Sequence, residues 1–268
     1  MPELPEVETV VRTLKRQILG ERIRSVQVYW PKTVYESPSF IQDLSNKTIQ
    51  NITRRGKYLI FTFDQGFMSV HLRMEGRFFL TPLEDEPKKH SHVIFFLSHQ
   101  KLEFNDTRKF GRIQYSMKNP IDLLTQLGFE PFDENLTPKI LKDLAKQRTI
   151  PLKTFLLDQS VIAGIGNIYA DEICFLSCLS PLKKAKSLTL KQWQDIIGIT
   201  RMVLSEAILA GGATVRSYTA SLGITGRFQN HLRVYGRGNQ ACLTCASPLK
   251  SIKIGQRTSV YCPTCQKG

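Results

Sequence analysis

The 268-residue sequence lacks any apolar run long enough to cross a bilayer, and its start lacks a basic segment followed by an apolar stretch. Neither a membrane span nor a secretory leader is expected, and a cytoplasmic location follows. Internal repeats and low-complexity tracts are also missing. Acidic residues are in short supply: 23 Asp and Glu stand against 37 Lys and Arg, giving a formal charge of +14 and a pI near 9.6. Such a balance suits a polyanion such as nucleic acid better than a small neutral ligand. What is present is enough for two compact domains and an appendage, since 41% of the residues are hydrophobic.

Cysteine is sparse but spaced. In a reducing compartment the six thiols are not expected to form structural disulfides. Cys242 and Cys245, then Cys262 and Cys265, form two C-x2-C knuckles with sixteen residues between them, a four-cysteine zinc pattern. A redox C-x-x-C would sit beside a βαβ unit, whereas these pairs lie in a short polar tail. That tail is too small to fold on buried apolar surface alone, so one structural zinc ion is expected to stabilise it. Cys174 and Cys178, one helical turn apart among apolar residues, read as buried thiols.

A different chemistry is possible at the beginning of the chain. Removing Met1 would leave Pro2 as a free secondary amine beside the carboxylate of Glu3. An α-amino group titrates near about 7.7–8.0, so an appreciable fraction is neutral and nucleophilic under cell conditions. Its attack on a carbonyl-level carbon gives an iminium, cationic without further protonation and therefore an electron sink for elimination. Pro2 is a candidate covalent catalyst. The same residues also read as a plain helix start, because Pro fits a first turn and Glu3, Glu6 and Glu8 favour the positive end of the dipole. Val7, Val10, Val11, Leu14 and Ile18 then line one helical face, and both readings stand at this point.

The rest of the first half is strand-like. Segments 22–29, 48–53, 57–63, 67–72, 76–81, 92–97 and 111–116 are short and β-rich, with turn residues between them, and predict an antiparallel sandwich. Residues 119–135, with Pro120, Gly128, Pro131 and Asp133, read as a hinge or linker. Helical lengths and periods follow at 139–145, 151–159, 167–175 and 190–210, stopped by Gly211 and Gly212. The run from Gly164 to Glu172 puts glycines before Asn167 at a helix start, where free N–H groups and a side-chain amide could meet a DNA phosphate. Asn167 is equally a plain N-cap.

Together these features resemble the bacterial formamidopyrimidine-DNA glycosylases over essentially the whole chain. The resemblance rests on Pro2 to Thr9, Arg55 to Leu59, His71 to Gly76, Asp106 to Gly111, Gly164 to Tyr169, Tyr235-Gly236-Arg237 and the four-cysteine tail, in that order. It implies an α+β protein of two domains. The expected parts are a catalytic β-sandwich over 1–118, a hinge over 119–135, a helical helix-two-turn-helix domain over 136–233 and a zinc finger over 234–268, with a DNA cleft between the domains. It also implies base-excision repair: removal of oxidised purines such as 8-oxoguanine and formamidopyrimidines, then strand cleavage by β,δ-elimination at the abasic site. The expected partner is double-stranded DNA carrying such a lesion, bound by a monomer.

Residue by residue, the resemblance makes Pro2 the nucleophile at C1′ and Glu3 a proton-transfer group at the sugar. Lys57 matches the proton donor of β-elimination, and Arg257 the finger arginine assigned to δ-elimination. Extruding a base costs a few kcal/mol of stacking and pairing, so a wedge is needed; Met74, Arg108 and Phe110 match it. Alone, Met74 reads as core, because Leu72, Met74 and Phe78 alternate on one strand face. His90, Arg148, Lys153 and Asn167 match phosphate contacts, although Arg148 and Lys153 also read as solvated helix charges. Residues 216–230 correspond to the lesion-capping loop. The finger departs from the commoner Gly-Arg-Gly-Thr wording, with Gln256 and Thr258 around Arg257, and keeps the spacing to Cys262.

Two other readings compete. The sister endonuclease VIII type prefers oxidised pyrimidines, but Leu4, where that group usually has Gly, and the Met74/Arg108/Phe110 wedge favour the purine enzyme. A zinc-finger DNA-binding protein without catalysis would fit the charge and the knuckles. It would have no need of Pro2, Glu3 and Lys57.

Overall fold

The computed structural model describes residues 1–118, 124–213 and 226–267. The chain forms two compact units. One holds Met1–Thr125 with the described part of Gly211–Arg227, and the other holds Gln126–Ala210 and Phe228–Gly268.

The first unit begins with helix α1 (Leu4–Ile18), whose apolar stripe of Val7, Val10, Val11, Leu14 and Ile18 is buried as the period predicts. Eight strands follow: β1 (Ser25–Val28), β2 (Ile49–Arg55), β3 (Tyr58–Phe63), β4 (Phe67–His71), β5 (Arg77–Pro82), β6 (Ser91–Phe96), β7 (Gln100–Asn105) and β8 (Arg112–Ser116). A short helix α2 (Phe40–Leu44) lies between β1 and β2 and buries Phe40 and Leu44. The strands pair antiparallel in two four-stranded sheets, ordered β1-β6-β7-β5 and β2-β3-β4-β8. One apolar cluster draws on both: Phe61, Val70 and Ile113 from one sheet, Phe78, Phe95 and Phe104 from the other. Phe61 and Phe78 meet edge-on across the sheets at 6.0 Å, and Phe78 meets Phe104 at 5.3 Å. Each such side chain contributes roughly 1.5–3 kcal/mol when withdrawn from water, so this unit has an apolar core sufficient to hold its turns.

Strand β7 is absent from the sequence expectation, for a physical reason. Its Lys101 and Glu103 are almost completely buried, so the segment shows neither polar alternation nor a continuous apolar run.

The second unit contains α3 (Pro138–Ala145), α4 (Leu152–Leu157), α5 (Asn167–Leu176) and α6 (Leu190–Leu209), followed by the hairpin of β9 (Lys250–Ile254) and β10 (Arg257–Tyr261). Thr137 caps α3, and Thr189 with Gln192 forms a capping box at α6. Trp193 and Phe155 pack at 5.1 Å in the core of the helices. From Gln126 the expected linker belongs to this unit: Phe129 bridges Ile162, and Gly128 N–H donates to the Gln159 carbonyl.

Two local expectations are corrected. Cys174 is buried, but Cys178 is exposed. Helix α5 ends before it: Cys178 has φ +54, its N–H donates to the Phe175 carbonyl, and Leu179 N–H reaches the Cys174 carbonyl. That is a Schellman cap with cysteine in the place glycine usually takes. Asn167 is the first helical residue and not the cap, which is Gly166. Among the described residues no helix is long and apolar enough to cross a membrane.

Candidate active site and nucleic-acid interface

At the root of α1, Pro2 is buried and Glu3 is 2% exposed, while Met1 is 39% exposed. The Glu3 N–H donates to Glu6 Oε2 at 2.8 Å, one half of a capping box. The other oxygen of Glu6 accepts the Ala213 N–H, also at 2.8 Å. One buried carboxylate thus fixes the start of the chain and the residues that follow α6. Lys57, 5% exposed, occupies the two-residue turn Gly56-Lys57, which closes β2 onto β3 with Arg55 opposite Tyr58.

His71 ends β4, opposite Tyr58, and packs edge-on against that ring at 4.6 Å. Burial first, then the cations of Arg73 and Lys57, hold its pKa down at about 3, so the imidazole is neutral at neutral pH. Its Nδ1 accepts the Arg73 N–H at 2.9 Å, which leaves the ring proton on Nε2. A cavity of about 340 Å³ opens over this face, with Tyr35, Tyr58, His71, Arg73 and Arg112 in its wall. Two guanidinium groups and a neutral donor make it receptive to an anion.

The residues expected as a wedge, Met74, Arg108 and Phe110, lie on two turns. Met74 is 38% and Phe110 47% exposed, whereas Leu72 and Phe78 are buried, so Met74 is not core. Both turns rest on one ring: a Cβ at Gly76 would lie 3.0 Å from Phe104 Cζ, and one at Gly111 only 2.5 Å from it. Each glycine is thus required by close approach. Asp106, fully buried, accepts the Arg108 N–H at 3.0 Å and the Gly111 N–H at 2.6 Å, and so props up the exposed run 107–110. The Arg108 guanidinium lies 4.9 Å from the centre of the Phe110 ring.

His90, half-buried with φ +71, ends a loop held from inside. Its carbonyl accepts the Asp106 N–H. Lys101 donates to the Asp85 carbonyl, Asn105 to the Lys89 carbonyl, and Glu103 accepts from Ser91 Oγ, Thr81 Oγ1 and the Lys88 N–H. Burial would raise the Glu103 carboxyl, but the Ser91 and Thr81 hydroxyls, the Lys88 amide and the Lys101 ammonium outweigh it and hold the group ionised.

In the second unit the sulfurs of Cys242, Cys245, Cys262 and Cys265 all lie within 4.8 Å of one another. Two pairs stand at 3.9 Å and 3.4 Å, close to the separation of about 3.8 Å that a tetrahedral site with Zn–S bonds near 2.3 Å requires. Backbone N–H groups of Thr244 and Cys265 point at Cys242 and Cys262 sulfurs, as charged thiolates favour. Bonds from Ser247 lower the Cys245 pKa to about 6, whereas the neighbouring Cys245 thiol raises Cys265 and burial raises Cys262. Four crowded thiols resist ionising together, so the donor set needs a cation to complete it, and one structural zinc ion fits. Arg257 is exposed at the first position of β10, just past the hairpin turn.

The remaining expected phosphate contacts differ in placement. Asn167 Nδ2 donates to the Thr258 carbonyl at 3.2 Å, and its Oδ1 has no partner among the described residues. Arg148 is partly exposed, pairs with Asp158 at 2.5 Å and lies over Phe155. Lys153, expected at the surface, is 0% exposed: its ammonium pairs with buried Asp171 at 2.7 Å and donates to the Thr258 carbonyl at 3.1 Å. Neither solvent nor an incoming phosphate meets a side chain so placed. Most of the lesion-capping segment, 216–225, lies outside the described residues.

Four anchoring carboxylates carry no assigned role from sequence, Glu103, Asp106, Asp171 and Glu172, and Glu6 is expected there only as a charge at a helix start. The available signal was context, because Asp171 and Glu172 interrupt a helix that is otherwise apolar on all sides. Glu172 accepts three backbone N–H groups, from Arg233, Val234 and Tyr235.

Residues 1–113 match the formamidopyrimidine-DNA glycosylase N-terminal domain, 127–219 its H2TH domain, and 239–268 the zinc finger found in FPG and IleRS. The formamidopyrimidine-DNA glycosylase of Exiguobacterium sibiricum is 43% identical over 274 residues, covering 100% of this chain and 99% of that protein. Among solved structures, a complex of Lactococcus lactis Fpg with DNA containing an abasic site aligns at a TM-score of 0.94 and 36% identity, over 99% of this chain and 100% of that one. A MutM complex with DNA containing carbocyclic 8-oxo-G aligns at 0.93 and 36%, over the full length of both. With the buried Pro2, the propped turn at 107–110 and the four-thiol finger, these matches place the chain in the formamidopyrimidine-DNA glycosylase family.

Proposed function

We propose that this protein removes oxidised purines, 8-oxoguanine and formamidopyrimidines, from double-stranded DNA and then cleaves the strand at the resulting abasic site. The observation that carries the reading is the placement of Pro2 and Glu3, buried at the root of α1 with only Met1 exposed. Once Met1 is removed, the Pro2 amine forms a bond to C1′ as the N-glycosidic bond breaks and the base leaves with the bonding pair. Glu3 delivers a proton to O4′ as the C1′–O4′ bond breaks and the sugar ring opens, which leaves an iminium linking protein and DNA. Loss of the C2′ proton expels the 3′ phosphate, with Lys57 as the proton donor of that step. Loss of the C4′ proton then expels the 5′ phosphate, with Arg257 engaged there, and water releases the sugar fragment from Pro2.

Met74, Arg108 and Phe110 fill the space left by the flipped nucleotide, two of them apolar plugs and the third a donor for the orphaned base. His90, Arg148 and Asn167 meet phosphates. The ring of His71, neutral and carrying its proton on Nε2, adds a donor that the sequence did not announce. The zinc ion supplies rigidity to the hairpin and takes no part in bond making. A monomeric state and a cytoplasmic, nucleoid-associated setting in a bacterium belong to the same reading.

Borohydride trapping on a duplex with 8-oxoguanine opposite cytosine, with peptide mass mapping, tests it. An adduct on Pro2, stronger than on a thymine-glycol duplex and absent from Pro2→Gly, is the expected result. Full strand cleavage by protein that retains Met1 would remove the Pro2 mechanism, and preference for thymine glycol would remove the purine assignment.

A further inference from the structure

We infer that Lys153 and Asp171 form a positioning pair that sets the strand carrying Arg257, so that they govern the second elimination without touching DNA. The inference rests on the proposed role of Arg257.

The geometry is continuous. Lys153 comes from α4 and Asp171 from the middle of α5, and both are buried, 0% and 1% exposed. Their charges meet at 2.7 Å. From this pair three hydrogen bonds reach the strand, one to each of the three residues after Arg257. Lys153 Nζ donates to the Thr258 carbonyl at 3.1 Å. Asp171 Oδ1 accepts the Ser259 hydroxyl at 2.6 Å, and its Oδ2 accepts the Val260 N–H at 3.1 Å. Asn167 Nδ2 adds a second donor to the Thr258 carbonyl. Arg257 itself is exposed and starts the strand, so its backbone is fixed by what holds its successors.

The zinc cluster does not do this work. Its cysteines fix the far end of β10, where Cys262 follows Tyr261, and Arg257 stands a full strand away. An isolated hairpin of two short strands is marginal, and its tip would wander without a second attachment. The pair supplies that attachment where it is needed. Burial raises the Asp171 carboxyl, and the Lys153 ammonium first, then Ser259 and Val260, draw it back, so carboxylate and ammonium each depend on the other.

A group that merely stabilises the fold would, when removed, slow base release and both eliminations together. A group that aims Arg257 would change the ratio of β- to β,δ-products while base release stays close to normal. The experiment compares wild type, Lys153→Met/Asp171→Asn and Arg257→Ala as zinc-loaded full-length proteins on an 8-oxoguanine duplex. Base release, the two cleavage products and bound zinc are measured together. The double variant keeps the buried site neutral and is expected to retain one zinc and base release within about threefold, with the δ-product fraction down about tenfold, as in Arg257→Ala.

If Arg257→Ala shifts the ratio and the folded double variant does not, the positioning role is wrong. If Arg257→Ala leaves the ratio unchanged, the reading of Arg257 is wrong and the inference falls with it. Should the double variant fail to fold, Ser259→Ala removes only the strand's hydroxyl bond to Asp171. A ratio shifted about two- to threefold supports the pair, and a wild-type ratio overturns it.

Discussion

Arg108 and Arg257 are both exposed arginines, one on a short turn and one just past a hairpin turn, yet opposite kinds of matter stand behind them. Arg108 is carried by a turn between β7 and β8 that rests on Phe104 in a large two-sheet apolar core, with Asp106 as its buried prop. Arg257 is carried by a hairpin whose local core is small, made of Phe175, Val234, Leu249, Val260 and two of the metal-binding cysteines. Where apolar area is plentiful, one carboxylate suffices to shape the turn. Where it is scarce, four thiolates, a buried ion pair and a carboxylate accepting three amides take over. The difference teaches that exposure of a side chain implies nothing about how its position is maintained.

Removing the metal should break the comparison most severely. A chelator, or Cys245→Ser, is expected to abolish strand cleavage by more than about a hundredfold, because binding of a structural zinc is worth about 10–16 kcal/mol to a finger. The first unit should keep its β-type circular dichroism. Zinc release and activity, followed in parallel, check this; cleavage persisting in zinc-free protein would contradict it.

Asp106→Ala probes the other side. It leaves the Arg108 and Gly111 amides without their acceptor, at a cost of about 1–3 kcal/mol each when buried. Lesion-duplex affinity should fall while zinc content stays constant, and denaturant melts with fluorescence anisotropy would record both. Unchanged affinity would show that the turn shapes itself.

The smallest effect concerns pH. His71 is neutral in the folded protein down to about 3 but protonates near 6.5 when unfolded, so the unfolded chain binds the extra proton between those values. Stability from this group is full above about 6.5 and is lost as pH falls toward about 3, at up to about 1.4 kcal/mol per pH unit. His71→Asn keeps an acceptor for Arg73 and does not titrate. Its stability should vary less with pH than that of wild type over this window, and identical slopes would remove the assignment.

Much of the molecule was legible from sequence, unevenly. The cysteine knuckles announced the finger because metal geometry fixes ligand spacing, and α1 announced itself through its valine stripe. The apolar alternation placed seven of the strands to within a few residues. Strand β7 stayed hidden because Lys101 and Glu103 satisfy one another's neighbourhood in the interior, which no pattern of single residues reveals. Lys153 looked like a surface cation for the same reason: its partner is eighteen positions away, Asp171, and burial depends on the pair. Cys178 was misplaced because its left-handed backbone lacked the glycine that normally signals such a cap. Charge and turn chemistry that depend on distant partners form the common thread.

Asp171 and Glu172 are adjacent, and successive residues of a helix point about 100° apart. One therefore grips the strand of the hairpin while the other grips the backbone at 233–235, from two directions around a single axis. A body held at one point can swivel; held at two non-parallel ones it cannot. On the hairpin the two attachments to α5 are Asp171 at Ser259 and Val260 and Asn167, one turn earlier, at Thr258. Asn167 is tied to the residue after Arg257 through the Thr258 carbonyl, so the start of α5 and the start of β10 are fastened to each other directly.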